Sequence, residues 1–94
     1  KAGAINLTRA IALDYARDNI RCNAICPGFV ETPLTATEDT AGRDAFLDQY
    51  QPLPGIIQPQ EVAALAVYMA SAAAVRITGQ VFVIDGGQQA GIFA

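Results

Sequence analysis

Two short apolar runs in this chain end on glycine. Ile20-Arg21-Cys22-Asn23-Ala24-Ile25-Cys26 is closed by Pro27-Gly28, and Gln80-Val81-Phe82-Val83-Ile84-Asp85 by Gly86-Gly87. Each has the length and the bounding turn formers of a strand, and the second is β-branched enough to sit in a sheet covered on both faces. A long stretch with helical patterning lies between them. Strands connected that way pair in parallel through a crossover, whereas antiparallel neighbours can be joined by a tight turn. The pattern therefore selects the α/β class, in which helices pack on a parallel sheet.

The helices follow from periodicity. From Ala2 to Ala16, Ile5, Ala12 and Ala16, with Leu13 and Ala10 beside them, recur at three- and four-residue intervals, and Asp18-Asn19 ends the pattern. Pro59 suits a first helical position, Glu61 suits the first turn, where the helix dipole favours an anion, and a helix is expected through Val62–Ala74. Between the two, residues 29–58 form the least regular part. There Phe46 and Tyr50, four apart, predict one short helix over Arg43–Tyr50. The expected order is helix, strand, variable loop with a short helix, helix, strand.

Composition narrows the chemistry. The 94 residues leave room for one small domain, residues 1–94. Hydrophobic residues make up 52% and charged residues only 16%, more apolar surface than so short a chain hides alone, so further packing partners are expected. The weakly polar stretch Val62–Val75 is too short to span a bilayer, and no membrane partner is expected. A net charge of −3 with scattered basic residues gives no stripe for a phosphate backbone, so nucleic acid is not expected either. Histidine is absent, which removes Ser/His/Asp and Cys/His catalysis and every His-containing metal site. Cys22 and Cys26 are the only thiols. Four strand steps would hold them ~13 Å apart, beyond disulfide reach; they are expected as small buried hydrophobes in a reducing, cytoplasmic setting. The opening Lys1-Ala2-Gly3-Ala4 lacks an initiator Met and looks like mid-helix, the expectation being a piece of something longer.

Several short motifs fall in one order: Lys1-Ala2-Gly3, Leu7-Thr8-Arg9, Asn23-Ala24-Ile25-Cys26-Pro27-Gly28, Thr32-Pro33, Pro59-Gln60-Glu61-Val62-Ala63, Thr78-Gly79-Gln80 and Asp85-Gly86-Gly87. In that order and register the chain resembles the C-terminal part of a classical short-chain dehydrogenase/reductase. The resemblance covers nearly the whole chain. It implies a doubly wound, Rossmann-like parallel sheet whose N-terminal dinucleotide-binding part is not among these residues, with 29–58 as the variable substrate loop.

The resemblance also implies roles. Lys1 matches the family's active-site lysine, whose ammonium lowers the pKa of a tyrosine four residues earlier on the same helix face and binds the nicotinamide ribose. The chain's own Tyr15, Tyr50 and Tyr68 are followed four residues later by Asn19, Pro54 and Ala72, so none forms that pair, and these residues alone are not expected to catalyse. Pro27, Gly28, Val30 through its backbone and Thr32 through its hydroxyl match the segment that holds the nicotinamide carboxamide; a flat amide needs one donor and one acceptor at fixed spacing. Pro27-Gly28 also suits a strand-ending turn, and Thr32 an N-cap before Pro33 at the first helical position. Asp85 is expected as a turn residue leading to a tail at a subunit contact. Three departures touch local loop contacts: Pro54-Gly55-Ile56-Ile57-Gln58 where members often carry Gly-Arg-x-Gly, Ala72 where an Asp often follows the serine, and Arg76 at a usually uncharged position.

The implied activity of the complete protein is hydride transfer between NAD or NADP and a small-molecule carbonyl or secondary alcohol, in a homotetramer or homodimer. The alternative is a non-catalytic member that keeps the fold as an oligomerisation or interaction module. The residue four positions before Lys1 in the parent gene separates the two, tyrosine favouring the enzyme.

Overall fold

A computed structural model describes every residue except 34, 37 and 92–94. Helix α1, Ala2–Tyr15, is followed by a single 3-10 turn, Ala16–Asp18, and then by strand β1, Ala24–Pro27. Helices α2, Thr40–Tyr50, and α3, Pro59–Ala70, make up the crossover to strand β2, Val81–Ile84. The strands pair in parallel, Ala24 opposite Val81 and Pro27 opposite Ile84, and both α1 and α3 pack against β1. The α/β class and the element order expected from the sequence are those observed.

The 3-10 turn that follows α1 ends where Asn19 takes a left-handed conformation, φ 62°, a geometry asparagine tolerates. The buried face of α1 is Thr8 and Ala12, with Ile5 and Ile11 half-buried. Small residues there allow close approach: a β-carbon built on Gly79 would lie 3.4 Å from Ala12 Cβ. Ala10, Leu13 and Ala16, expected on the packed face, are instead exposed, Leu13 at 80%. The helix is apolar around much of its circumference, and this chain covers only one side of it.

Strand β1 is shorter than the expected Ile20–Cys26 and shifted toward its end. The reason lies in side chains that replace the ladder. Asn23 Nδ2 donates to the Ile77 carbonyl at 3.0 Å while its Oδ1 accepts the Gln80 N–H at 3.0 Å, so the side-chain amide stands in for a peptide group. Arg21 donates to the Met69 carbonyl at 2.7 Å, fastening the last turn of α3, and Cys22 is tied to Thr78 and Gly79. Pro27, expected as the stop, belongs to the strand. Ala24 and Gly28 donate toward β2, so the missing N–H of Pro27 falls on the other edge and costs no ladder bond. Cys22 and Cys26 are free and half-buried.

Helix α2 starts before the expected Arg43 because Asp39 caps it, accepting the Gly42 N–H at 2.8 Å. Helix α3 starts as expected: Pro59 takes the first helical position, and Glu61 accepts the Gln58 N–H at 2.6 Å. It stops at Ala70 rather than Ala74, because Ser71 is extended and turns its hydroxyl onto the Tyr68 carbonyl at 2.6 Å. A 3-10 turn, Ala72–Ala74, follows. The core is thin: Ala12, Leu47, Ile57, Met69 and Ala74 are its buried apolar residues among those described. No residue of either strand is fully buried.

Candidate functional site

The segment following β1 is held from two sides. On one, the Gly28 N–H donates to the Ile84 carbonyl at 2.9 Å and extends the β1–β2 ladder. Gly28 is also pressed against the residue after β2: a β-carbon there would lie 2.9 Å from Asp85 Cβ and 3.0 Å from Asp85 Cα. Any side chain would push the strands apart, so glycine is required here by close approach. On the other side, Val30 bridges Ile57 in parallel, Glu31 donating to the Ile57 carbonyl at 2.9 Å and Ile57 to the Phe29 carbonyl at 3.3 Å. The ends of the variable segment thus meet beside the strand they leave.

That bridge has a consequence for Val30. Because Phe29 and Glu31 make the bonds to Ile57, the N–H and C=O of Val30 itself point away from it. The carbonyl accepts the hydroxyl of Thr35. No acceptor among the described residues meets the N–H. Thr32 follows in the same turn, with Thr35 N–H 3.0 Å from its carbonyl and 3.2 Å from its hydroxyl oxygen. Thr32 therefore caps a single turn rather than the start of a helix, since the helix that follows begins only at Thr40. Half-buried Val30 and Thr32 present a backbone donor, a backbone acceptor and a hydroxyl within three residues. Pro27, Val30 and Thr32 also border an open apolar groove with Val62 and Ala66 of α3, about 450 Å³ in volume.

Asp85 anchors the far side. Its carboxylate is buried and accepts the Gly87 and Gln89 N–H groups, each at 2.9 Å, the role of a turn residue expected of it. The tail after Gly91, expected at a subunit contact, lies outside the described residues. Gln51, also buried, donates through Nε2 to the Leu53 and Gly55 carbonyls at 2.7 and 2.6 Å. Leu53 N–H in turn bonds the Gly86 carbonyl at 2.9 Å. Sequence reading had not singled out Ile57, Gln51 or Thr35. Only Thr35 carried a signal, the i, i+3 spacing from Thr32 that marks a hydroxyl-capped turn.

Lys1 is placed apart. It is exposed and caps α1, its carbonyl accepting the Ile5 N–H at 3.0 Å. Ala12, in the second half of α1, lies beside Gly79, two residues before β2. Over its 14 residues α1 covers about 21 Å. No hydrogen bond among the described residues joins Lys1 to the segment Gly28–Thr32.

The family model described as enoyl-(acyl carrier protein) reductase matches residues 1–89. The chain belongs to the short-chain dehydrogenase/reductase family. It is 44% identical over 94 residues to the 2-keto-3-deoxy-L-fuconate dehydrogenase of Xanthomonas campestris, covering 93% of this chain and 31% of that protein. It is 46% identical over 88 residues to the 7alpha-hydroxysteroid dehydrogenase of Bacteroides fragilis, covering 93% and 34%. Among solved structures, a 4-hydroxyisoleucine dehydrogenase mutant complexed with NADH and succinate superposes with a TM-score of 0.89 at 37% identity, over 95% of this chain and 37% of that one. A short-chain type dehydrogenase/reductase from Mycobacterium marinum gives 0.84 at 37% identity, over 97% and 35%. The chain thus spans about a third of the length of the short-chain dehydrogenase/reductases it matches, and its fold is theirs over that third. Among the described residues no helix is long and apolar enough to cross a membrane.

Proposed function

We propose that the full-length protein is an oxidoreductase that moves a hydride between a nicotinamide cofactor, NAD or NADP, and a small-molecule carbonyl or secondary alcohol, and that residues 1–94 supply the nicotinamide end of its site. The observation that carries this reading is the segment Gly28–Thr32, fixed to Ile84 through Gly28 and to Ile57 through Phe29 and Glu31. A primary carboxamide needs an acceptor for its NH2 and a donor for its carbonyl oxygen. The Val30 carbonyl is such an acceptor, and the Val30 N–H and Thr32 hydroxyl are such donors. Pro27, the last residue of β1, and Gly28, which extends the ladder to Ile84, set their position where the backbone can approach Asp85. A similar protein of the same fold binds NADH, which supports the cofactor class.

Lys1 is the catalytic residue in this reading. Its ammonium binds the ribose hydroxyls and lowers the pKa of a tyrosine four residues earlier on the same helix, so that the phenol exchanges a proton with the substrate oxygen. The cofactor supplies the hydride. Residues 29–58 cover the substrate, and the exposed apolar faces of α1 and α3 are covered within a homodimer or homotetramer in the cytoplasm.

The test is made on the full-length chain. Absorbance at 340 nm is followed with NADH and with NADPH over a panel of ketones and secondary alcohols. Turnover is expected with one cofactor, and Lys1→Ala is expected to abolish it. A folded protein that binds neither cofactor would overturn the proposal in favour of the non-catalytic module.

A further inference from the structure

The turn after Val30 is organised by a hydroxyl that the functional reading does not use. Thr35 has one hydroxyl proton to give, and the shortest hydrogen bond of the turn gives it to the Val30 carbonyl. The Thr32 carbonyl lies farther off, at 3.2 Å. The Thr35 oxygen accepts the Thr32 N–H at 2.9 Å, and Thr35 N–H approaches Thr32 Oγ at 3.2 Å. One lone pair of Thr32 is thereby engaged, and the Thr32 proton is left to point at Thr35 Oγ or outward. The two hydroxyl oxygens are 3.2 Å apart, longer than the usual 2.5–3.0 Å for O–H···O, so the contact between them is a weak one. The Val30 carbonyl keeps its second lone pair. One side chain thus bonds both the Val30 carbonyl and the Thr32 backbone, holding an acceptor and a hydroxyl donor in one turn.

We infer that Thr35 is a positioning residue for the nicotinamide carboxamide: it does not touch the cofactor, and it sets the orientation of the two groups that do. This rests on the reading above, in which Val30 and Thr32 contact the cofactor. Thr35→Val keeps the shape and the backbone N–H but removes the hydroxyl, and Thr35→Ser keeps the hydroxyl.

Dissociation constants are measured by titration calorimetry on the full-length protein, for the reduced nicotinamide nucleotide it prefers and for the matching fragment that lacks nicotinamide, ADP-ribose or its 2′-phosphate. Thr35→Val is expected to weaken the complete cofactor about ten-fold, the upper end for one orienting hydrogen bond, and to leave the fragment's affinity unchanged. Thr35→Ser is expected to match wild type on both. Unchanged cofactor affinity in Thr35→Val overturns the inference while leaving the functional reading standing. A parallel loss of both affinities overturns it too, since Thr35 would then support the scaffold generally. A wild-type protein that binds neither nicotinamide nucleotide removes the functional reading and this inference with it.

Discussion

Replacing Gly28 by alanine adds one carbon at the point where the site segment presses on the end of β2. That carbon would meet Asp85 Cβ at 2.9 Å and Asp85 Cα at 3.0 Å, against about 3.5–4.0 Å for comfortable carbon contacts. Neither atom sits at the end of a flexible side chain, and Asp85 is held by its bonds to Gly87 and Gln89. Relief requires the strand ends to separate by about 0.5–1 Å, which stretches the Gly28–Ile84 bond of 2.9 Å. Overpacking of this kind costs about 1–3 kcal/mol. Gly28 is not among the glycines with positive φ, so alanine recovers roughly 0.4–1 kcal/mol by stiffening the unfolded chain. The net expectation is a loss of about 1–2 kcal/mol. In the full-length protein that lowers the melting temperature by roughly 2–8 °C. Because residues 28–32 move with the strand end, cofactor affinity falls in the same variant. Differential scanning calorimetry and a cofactor titration check both. A Gly28→Ala protein that melts at or above wild type would show that the contact is soft and that the close-approach argument is wrong.

Asp85→Ala leaves the Gly87 and Gln89 N–H groups without their acceptor, a loss of about 2–4 kcal/mol in urea denaturation of the full-length protein; Asp85→Asn, which keeps one acceptor oxygen, is expected to lose less. Residues 1–94 expressed alone are expected to aggregate or to melt without cooperativity, and a sharp two-state transition of a monomer in calorimetry would refute this.

Most of the fold was legible because its signals are local. Pro59 and Glu61 announce the start of α3 wherever the rest of the chain goes, and the β-branched run of β2 needs no tertiary context. The misreadings arise where a distant side chain takes over from the backbone. Asn23 satisfies Ile77 and Gln80 with its own amide, and the strand expected from Ile20 begins only at Ala24. Ser71 turns back on Tyr68 and cuts short a helix that alanine propensity would have continued. Of the proposed site, Gly28, Val30 and Thr32 were named from the family resemblance, and the structure puts them in one segment directly after β1. Ile57 was not, because the bridge that aims Val30 joins residues at opposite ends of the variable segment, and nothing in either sequence neighbourhood specifies the other.

The exposed surface and the site are two aspects of one arrangement. The structure exposes 6679 Å², whereas a compact monomer of 9.9 kDa would expose about 5,200 Å². Its radius of gyration is 15.8 Å, against about 12 Å for a compact domain of this length. The exposed large apolar residues include Leu7 and Leu13 of α1, Val67 of α3 and Val83 of β2, on elements that a doubly wound sheet would cover, together with Phe46, Tyr50 and Leu53 of the variable segment. The Val30–Thr32 turn takes its support from Ile57 and Thr35, and from Ile84 through Gly28, all within this chain and all later in sequence than β1. Lys1, by contrast, is placed only through α1, a helix that packs here on one face. The Val30–Thr32 turn is therefore built by its own stretch of sequence, while the position of Lys1 depends on what covers the other faces of α1.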